Sequence, residues 1–265
     1  MDRKKAITVL SMFLLMAFSP AVLMADTLDE VVKRGVVKVG ILPDAKPYGW
    51  QDAKGEFNGL DVDLARELAN ALGVKLEMVS VGAAARIAVL VSRKVDVNIT
   101  GMTRTLERAK AVDFSDAYAL VGAMMVSHPD LKITDYKELN ASGKKVGTVM
   151  GGTGEIVIRK FFPKAEMVLF KSIADSYEAC RTKKVDAISA DSVEALKREQ
   201  EEPGHFKVIS PMLSKEYICM AIPKGEQNWL NWLNWFIWDM QMSGQIAALY
   251  EKWFETPAPK MGPTW

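Results

Sequence analysis

Two hydrophobic periods alternate along this chain. Val36-Val37-Lys38-Val39-Gly40-Ile41 is rich in β-branched residues and alternates weakly, which predicts a strand. Residues 61–72 (DVDLARELANAL) carry apolar side chains at helical spacing and meet a stop at Gly73. Further strands are predicted at 74–79 and 95–99, with a helix over 84–92 between them. Strand, helix, strand, helix, strand is the rhythm of a parallel α/β sheet. The rhythm resumes beyond Ala119, with strands at 145–149, 167–170 and 185–190 and helices over 154–162 and 173–182. Two such units in succession predict two α/β lobes rather than one sheet. Residues 229–254 read as helical, with Gly244 between two segments. Trp229, Trp232, Trp235 and Trp238 recur every three residues, a spacing that drifts around a helix face. They either bury themselves in a core or lobe interface or form an exposed docking patch.

The N-terminus has a different pattern. A basic start (Arg3, Lys4, Lys5) precedes the uncharged run 6–18, a break at Ser19-Pro20 and a small residue, Ala25, before Asp26. This predicts a cleaved export signal over residues 1–25. The alternative, an uncleaved anchor, is disfavoured because the run is shorter than the ~20 residues that span a bilayer. Removing the segment takes away three basic residues and Asp2, so the net charge of +1 becomes −1. A near-neutral chain has no electrostatic claim on nucleic acid or anionic lipid. With 49% hydrophobic residues it has ample material for packed cores. An oxidising compartment permits a disulfide between Cys180 and Cys219; the alternative is a pair of buried free thiols. Their spacing does not fit a zinc site, and only His128 and His205 are available to help. No metal or cofactor is implied.

No Gly-x-Gly-x-x-Gly, P-loop or Gly-x-Ser-x-Gly elbow occurs, and neither His stands in a recognisable nucleophile–base arrangement. What does occur is a set of groups suited to a zwitterion. Thr100-Gly101-Met102-Thr103 follows a predicted strand, and Arg108 lies shortly after. Backbone N–H groups, a hydroxyl and a guanidinium are good partners for a carboxylate. Gly151-Gly152-Thr153-Gly154 repeats the arrangement before a predicted helix. Asp191 closes another strand, where side chains of α/β sheets line ligand crevices, and can either hold an ammonium or cap a helix.

These motifs resemble the bacterial periplasmic amino-acid-binding proteins of ABC importers. The resemblance is carried by Gly59-Leu60-Asp61-Val62-Asp63-Leu64-Ala65, by Thr103-Arg104-Thr105-Leu106-Glu107-Arg108 and by Val112-Asp113-Phe114-Ser115-Asp116-Ala117-Tyr118. In the second half it is carried by Val146–Thr153, Val185–Asp191 and Lys252-Trp253-Phe254. It implies a type II fold of two Rossmann-like lobes joined by two hinge strands. The first lobe would hold residues 26–119 and 219–265, the second 120–218. Carried over by position, Gly101, Thr103 and Arg108 would hold an α-carboxylate with help from Gly152 and Thr153, while Asp191 would hold the α-ammonium. Positions that often carry a large side chain over the ligand fall on Ala45 and Ala83, so Tyr48 and Trp50 become candidates for an apolar wall, or for structural packing. Arg86 lies in Ala85-Arg86-Ile87-Ala88 and resembles the Arg that receives an acidic side chain in glutamate- and aspartate-binding relatives; the alternative is an Arg that snorkels to solvent.

The implied function is capture of a free amino acid, favouring an acidic one, by a monomeric periplasmic protein that delivers it to a membrane permease without catalysis. An exposed tryptophan patch would then suit that permease. A dehydratase on the same scaffold and a ligand-sensing module are the other classes. The dehydratase needs a general acid in the cleft, and the sequence pattern places no Glu there.

Overall fold

The computed structural model describes residues 26–209 and 211–259; the predicted export signal lies outside them. The first elements are α1 (Thr27–Arg34), β1 (Val36–Ile41), β2 (Asp44–Ala45), β3 (Gly49–Gln51), β4 (Phe57–Asn58) and α2 (Leu60–Leu72). Then come β5 (Lys75–Ser80), α3 (Arg86–Val91), β6 (Val97–Asn98), β7 (Val112–Val121), β8 (Ala123–Ser127), β9 (Lys145–Val149) and α4 (Gly154–Phe161). The chain continues through β10 (Glu166–Phe170), α5 (Ile173–Arg181), β11 (Ala187–Asp191), α6 (Ser192–Glu201) and β12 (Lys207–Ile209). It closes with β13 (Glu216–Pro223), α7 (Gln227–Met242) and α8 (Gln245–Phe254).

Each lobe has its own five-stranded sheet. The first has the order β5-β1-β6-β13-β7, the second β10-β9-β11-β8-β12. In both, the strand–helix–strand units are parallel (β5, β1 and β6; β10, β9 and β11), as their rhythm predicts. The remaining strands run antiparallel and carry the chain between lobes. β7 passes into β8 at Gly122, and the return runs from β12 into β13. The two crossings touch: a Cβ on Gly122 would come within 2.1 Å of the Ser214 carbonyl oxygen, so only glycine fits.

α2 shows why the helices form where they do. Leu64, Ala65, Leu68 and Ala69 fall on one face and are buried against the first sheet, and Gly73 ends the helix in the left-handed conformation. The first core joins Val31, Leu64, Leu68, Trp229 and Ile237. Neighbouring residues of β8 supply opposite faces of the second sheet, Met125 packing with Phe162 and Val126 with Tyr177.

The tryptophans divide. Trp229 is fully buried, donates from its indole N–H to the Asp96 carbonyl, and stacks on Trp232 at 5.7 Å. Trp235 and Trp238 are 67% and 50% exposed and pack edge-on against each other. The three-residue spacing therefore feeds the core first and solvent afterwards. The possible disulfide does not exist. Both cysteines are free and buried, Cys180 in the second lobe and Cys219 in the first, each enclosed in its own core. Burial pushes both thiols up to about 12, so they behave as small apolar residues. Among the described residues no helix is long and apolar enough to cross a membrane.

Candidate functional site

The C-terminal ends of β6, β9 and β11 all open onto the space between the lobes, where ligand crevices form in α/β sheets. The cavity there measures about 100 Å³. That is room for roughly seven to ten water-sized groups, the size of one amino acid.

One end gathers hydroxyl and guanidinium groups. The loop after β6 brings Thr103 and Arg108 to the wall, and the loop between β9 and α4 brings Gly152 and Thr153. The Arg108 guanidinium donates to the Thr103 carbonyl at 2.6 Å and to the Gly151 carbonyl at 2.8 Å. Arg86 donates to that same Gly151 oxygen at 2.9 Å, and also to Ala83 and Thr100. Two guanidiniums of the first lobe thus hold one carbonyl of the second. Gly151 has φ +77°, and a Cβ there would meet the Ala84 Cα at 2.9 Å, so this approach also requires glycine. Burial and the neighbouring Arg108 lower the Arg86 pKa, although a guanidinium stays protonated in proteins.

The other end gathers carboxyl and hydroxyl groups. Asp191 caps α6, accepting from the Val193 and Glu194 N–H groups, and it also lines the cavity. Of the two expected roles, the helix cap is the one seen, and the same side chain stands on the cavity wall. Burial pushes its carboxyl up to about 7 against the pull of those N–H bonds. The Tyr48 hydroxyl faces Asp191 closely enough to ease that rise, yet makes no hydrogen bond of proper geometry. Tyr177, Ser189 and Glu194 also line the cavity, and Tyr177 Oη, Ser189 Oγ and Glu194 Oε1 are buried without a hydrogen bond, Arg198 standing 4.0 Å from that carboxyl oxygen. A buried polar group without a hydrogen bond is costly, so this end is shaped for something that supplies one. Burial raises the Glu194 pKa well above the usual range.

Not every expected residue takes its expected place. Gly101 lines the cavity, but its N–H donates to the Tyr118 hydroxyl, which in turn donates to Asp61. It has no free N–H for a carboxylate. Trp50 is not on the cavity wall: the small β2-β3-β4 sheet turns it edge-on against Trp253 at 5.4 Å, leaving Tyr48 as the aromatic neighbour. Arg86 neither reaches solvent nor stands free; it is 6% exposed and bonded to three carbonyls. Sequence reasoning missed Glu194, Tyr177 and Glu216. Glu194 and Glu216 stand on the wall, so the cleft does contain Glu side chains. Glu194 was within reach of the pattern, one helical turn beyond Asp191 on a helix starting with Ser192; Glu216 carries no local signal. Among the described residues no group of three or more His, Cys, Asp or Glu side chains is placed to hold a metal ion.

Residues 37–256 match the family model of bacterial extracellular solute-binding proteins, family 3. The chain belongs to this family. It is 31% identical to a glutamine-binding protein of Geobacillus stearothermophilus over 77% of this chain and 79% of that one. It is 29% identical to an L-cystine-binding protein of Escherichia coli over 88% of both chains. A solved structure, an ancestral amino-acid-binding protein described as a precursor of cyclohexadienyl dehydratase, aligns with a TM-score of 0.81 at 36% identity, covering 86% of this chain and 99% of that one.

Proposed function

We propose that the chain is an exported binding protein that encloses one free α-amino acid between its lobes and, as a periplasmic monomer, presents it to the permease of an ABC importer. The observation that carries this reading is the polarity of the cavity. Arg108, Thr103 and Thr153 suit a carboxylate at one end, and Asp191 suits an ammonium at the other. Relatives named for glutamine and cystine support an amino acid as the ligand class. The extracellular family and the export pattern of residues 1–25 support a place outside the cytoplasm. Residues 26–119 with 219–265 would move against residues 120–218 about the two touching crossings, and a ligand that contacts both favours the closed arrangement.

The preference for glutamate or aspartate rested on Arg86, and its support weakens once that guanidinium is engaged by three carbonyls. Asp191 would oppose a second carboxylate, while Glu194, held protonated by burial, and the unpartnered hydroxyls of Tyr48, Tyr177 and Ser189 favour a polar side chain. Neutral polar and cationic amino acids therefore rank ahead of acidic ones. Calorimetry against the twenty amino acids, after unfolding and refolding to strip co-purified ligand, tests both levels. Saturable binding with glutamine or arginine ahead of glutamate is expected. Glutamate ahead of all others would restore Arg86 as the selecting group, and no binding of any amino acid would refute the whole reading.

A dehydratase is the second reading, favoured by Glu194, whose burial holds its proton near the cavity as a general acid requires. Incubation with prephenate or arogenate is expected to yield no product. Turnover that disappears in Glu194→Gln would make the protein an enzyme instead.

A further inference from the structure

Glu216 opens β13, on the second crossing between the lobes, and its carboxylate sits among the donors assigned above to the ligand. The Thr103 hydroxyl of the first lobe donates to Glu216 Oε2 at 2.6 Å. The Thr153 hydroxyl of the second lobe donates to the same oxygen at 2.7 Å. The other oxygen, Oε1, accepts from Ser214 Oγ at 2.7 Å, and that Oγ accepts from the Ala123 N–H on the first crossing at 2.9 Å. One carboxylate thus ties a hydroxyl of each lobe to the point where the crossings touch. Its charge also acts favourably on the Arg108 guanidinium.

We propose that Glu216 is an internal competitor for the ligand's carboxylate: in the empty cleft it occupies the Thr103 and Thr153 hydroxyls, holds the lobes together, and must be displaced before a ligand can bind. This rests on the reading that those two hydroxyls receive the ligand's carboxylate. The chemistry is that of a like-for-like exchange. A carboxylate accepts hydroxyl hydrogen bonds and attracts a guanidinium whether it belongs to the protein or to the ligand. Glu216 is only partly buried, so its released side chain has water to enter. Two consequences follow. The ligand-free protein populates a closed form, and the apparent affinity is lowered by the fraction of molecules in which Glu216 holds the site. Ligands that keep the ammonium but lack a carboxylate have no means of displacing it, so Glu216 also sharpens selection for the carboxylate.

The test compares wild type with Glu216→Ala and Glu216→Gln, and with Ser214→Ala, which frees the side chain without removing it. Solution scattering on the ligand-free proteins reads closure, and calorimetry with the amino acid that binds wild type reads competition. Glu216→Ala is expected to enlarge the ligand-free radius of gyration and to bind about tenfold more tightly, the scale of a lost charge-assisted hydrogen bond. Glu216→Gln and Ser214→Ala should move the same way by less, and they carry the test if the alanine variant does not fold. An unchanged ligand-free radius with unchanged or weaker binding would overturn the proposal, weaker binding marking Glu216 as a direct ligand partner. If no amino acid binds wild type, the site reading fails, and the scattering comparison still decides whether Glu216 holds the lobes together.

Discussion

The two ends of the cleft have opposite states of satisfaction. At the end lined by Arg108 the donors are already occupied: Arg108 and Arg86 hold Gly151, and the hydroxyls of Thr103 and Thr153 donate to Glu216. At the end lined by Asp191, Tyr48, Tyr177, Ser189 and Glu194 carry buried polar atoms without a hydrogen bond. The first end exchanges one set of hydrogen bonds for an equivalent set on binding. The second end gains hydrogen bonds it does not have. The difference teaches where affinity and closure come from. Closure is supported by groups that meet across the lobes even without ligand, and further ties run along the rim, from Ile173 N–H to Asp44 and from Lys46 to Glu201. On the proposed reading, net binding energy is gained chiefly at the unsatisfied end.

The largest expected effect falls at the occupied end. Arg108→Ala removes the guanidinium that holds Gly151 and that is proposed to receive the ligand's carboxylate. Breaking one side of a buried charge pair costs roughly 3–5 kcal/mol, about 10²- to 10³-fold in affinity at 1.4 kcal/mol per decade. Calorimetry showing a loss below threefold would take Arg108 out of the site and collapse the distinction between the ends.

A smaller effect, dependent on pH, belongs to the unsatisfied end. The Asp191 pKa is about 7, well above the ordinary 3.8, because burial penalises the charged form. A ligand ammonium favours the carboxylate and lowers that value, so binding releases a proton. Affinity should then fall as pH drops below about 7, by up to about tenfold per unit, and level off above it. Asp191→Asn should weaken binding and flatten this profile; a wild-type affinity that is flat between pH 5 and 8 would mean Asp191 does not meet the ammonium. The folding contribution has the opposite sign. A carboxyl raised in the folded state binds more protons there than in the unfolded chain, so ligand-free stability declines as pH rises from about 4 to 7, with Asp61, also raised to about 7 by burial, acting in the same direction. Thermal melting with and without ligand across that range checks both signs.

The smallest effect is expected at Trp50. Because it packs on Trp253 and does not line the cavity, Trp50→Ala should leave affinity within about twofold while lowering the melting temperature. A tenfold loss of affinity in a folded variant would return Trp50 to the cleft.

How much of this was legible in the sequence follows from what each segment packs against. The parallel units announced themselves because each strand and helix repeats a local period, and α2 and β9 fall within a residue of their expected limits. The crossing strands β7 and β13 did not: buried on both faces over most of their length, they lack an alternation to read. Asp191, Thr103, Arg108 and Thr153 could be found because strand ends and the turns after them can be placed from local pattern. Glu216 could not, since it meets Thr103 from 113 residues away. Trp50 misled for the converse reason: proximity to Tyr48 in sequence says nothing about which side of a short strand faces the cavity.

The account stands or falls on the ligand's carboxylate meeting Arg108 and its ammonium, on the same α-carbon, meeting Asp191. The most direct measurement is calorimetric titration of wild type with the amino acid that binds best, with its decarboxylated amine and with its deaminated acid. Both analogues are expected to bind at least about a hundredfold more weakly, the acid because it leaves Asp191 without a cation and the amine because it has no carboxylate to displace Glu216. Retention of either analogue within threefold of the parent would contradict the placement of that end.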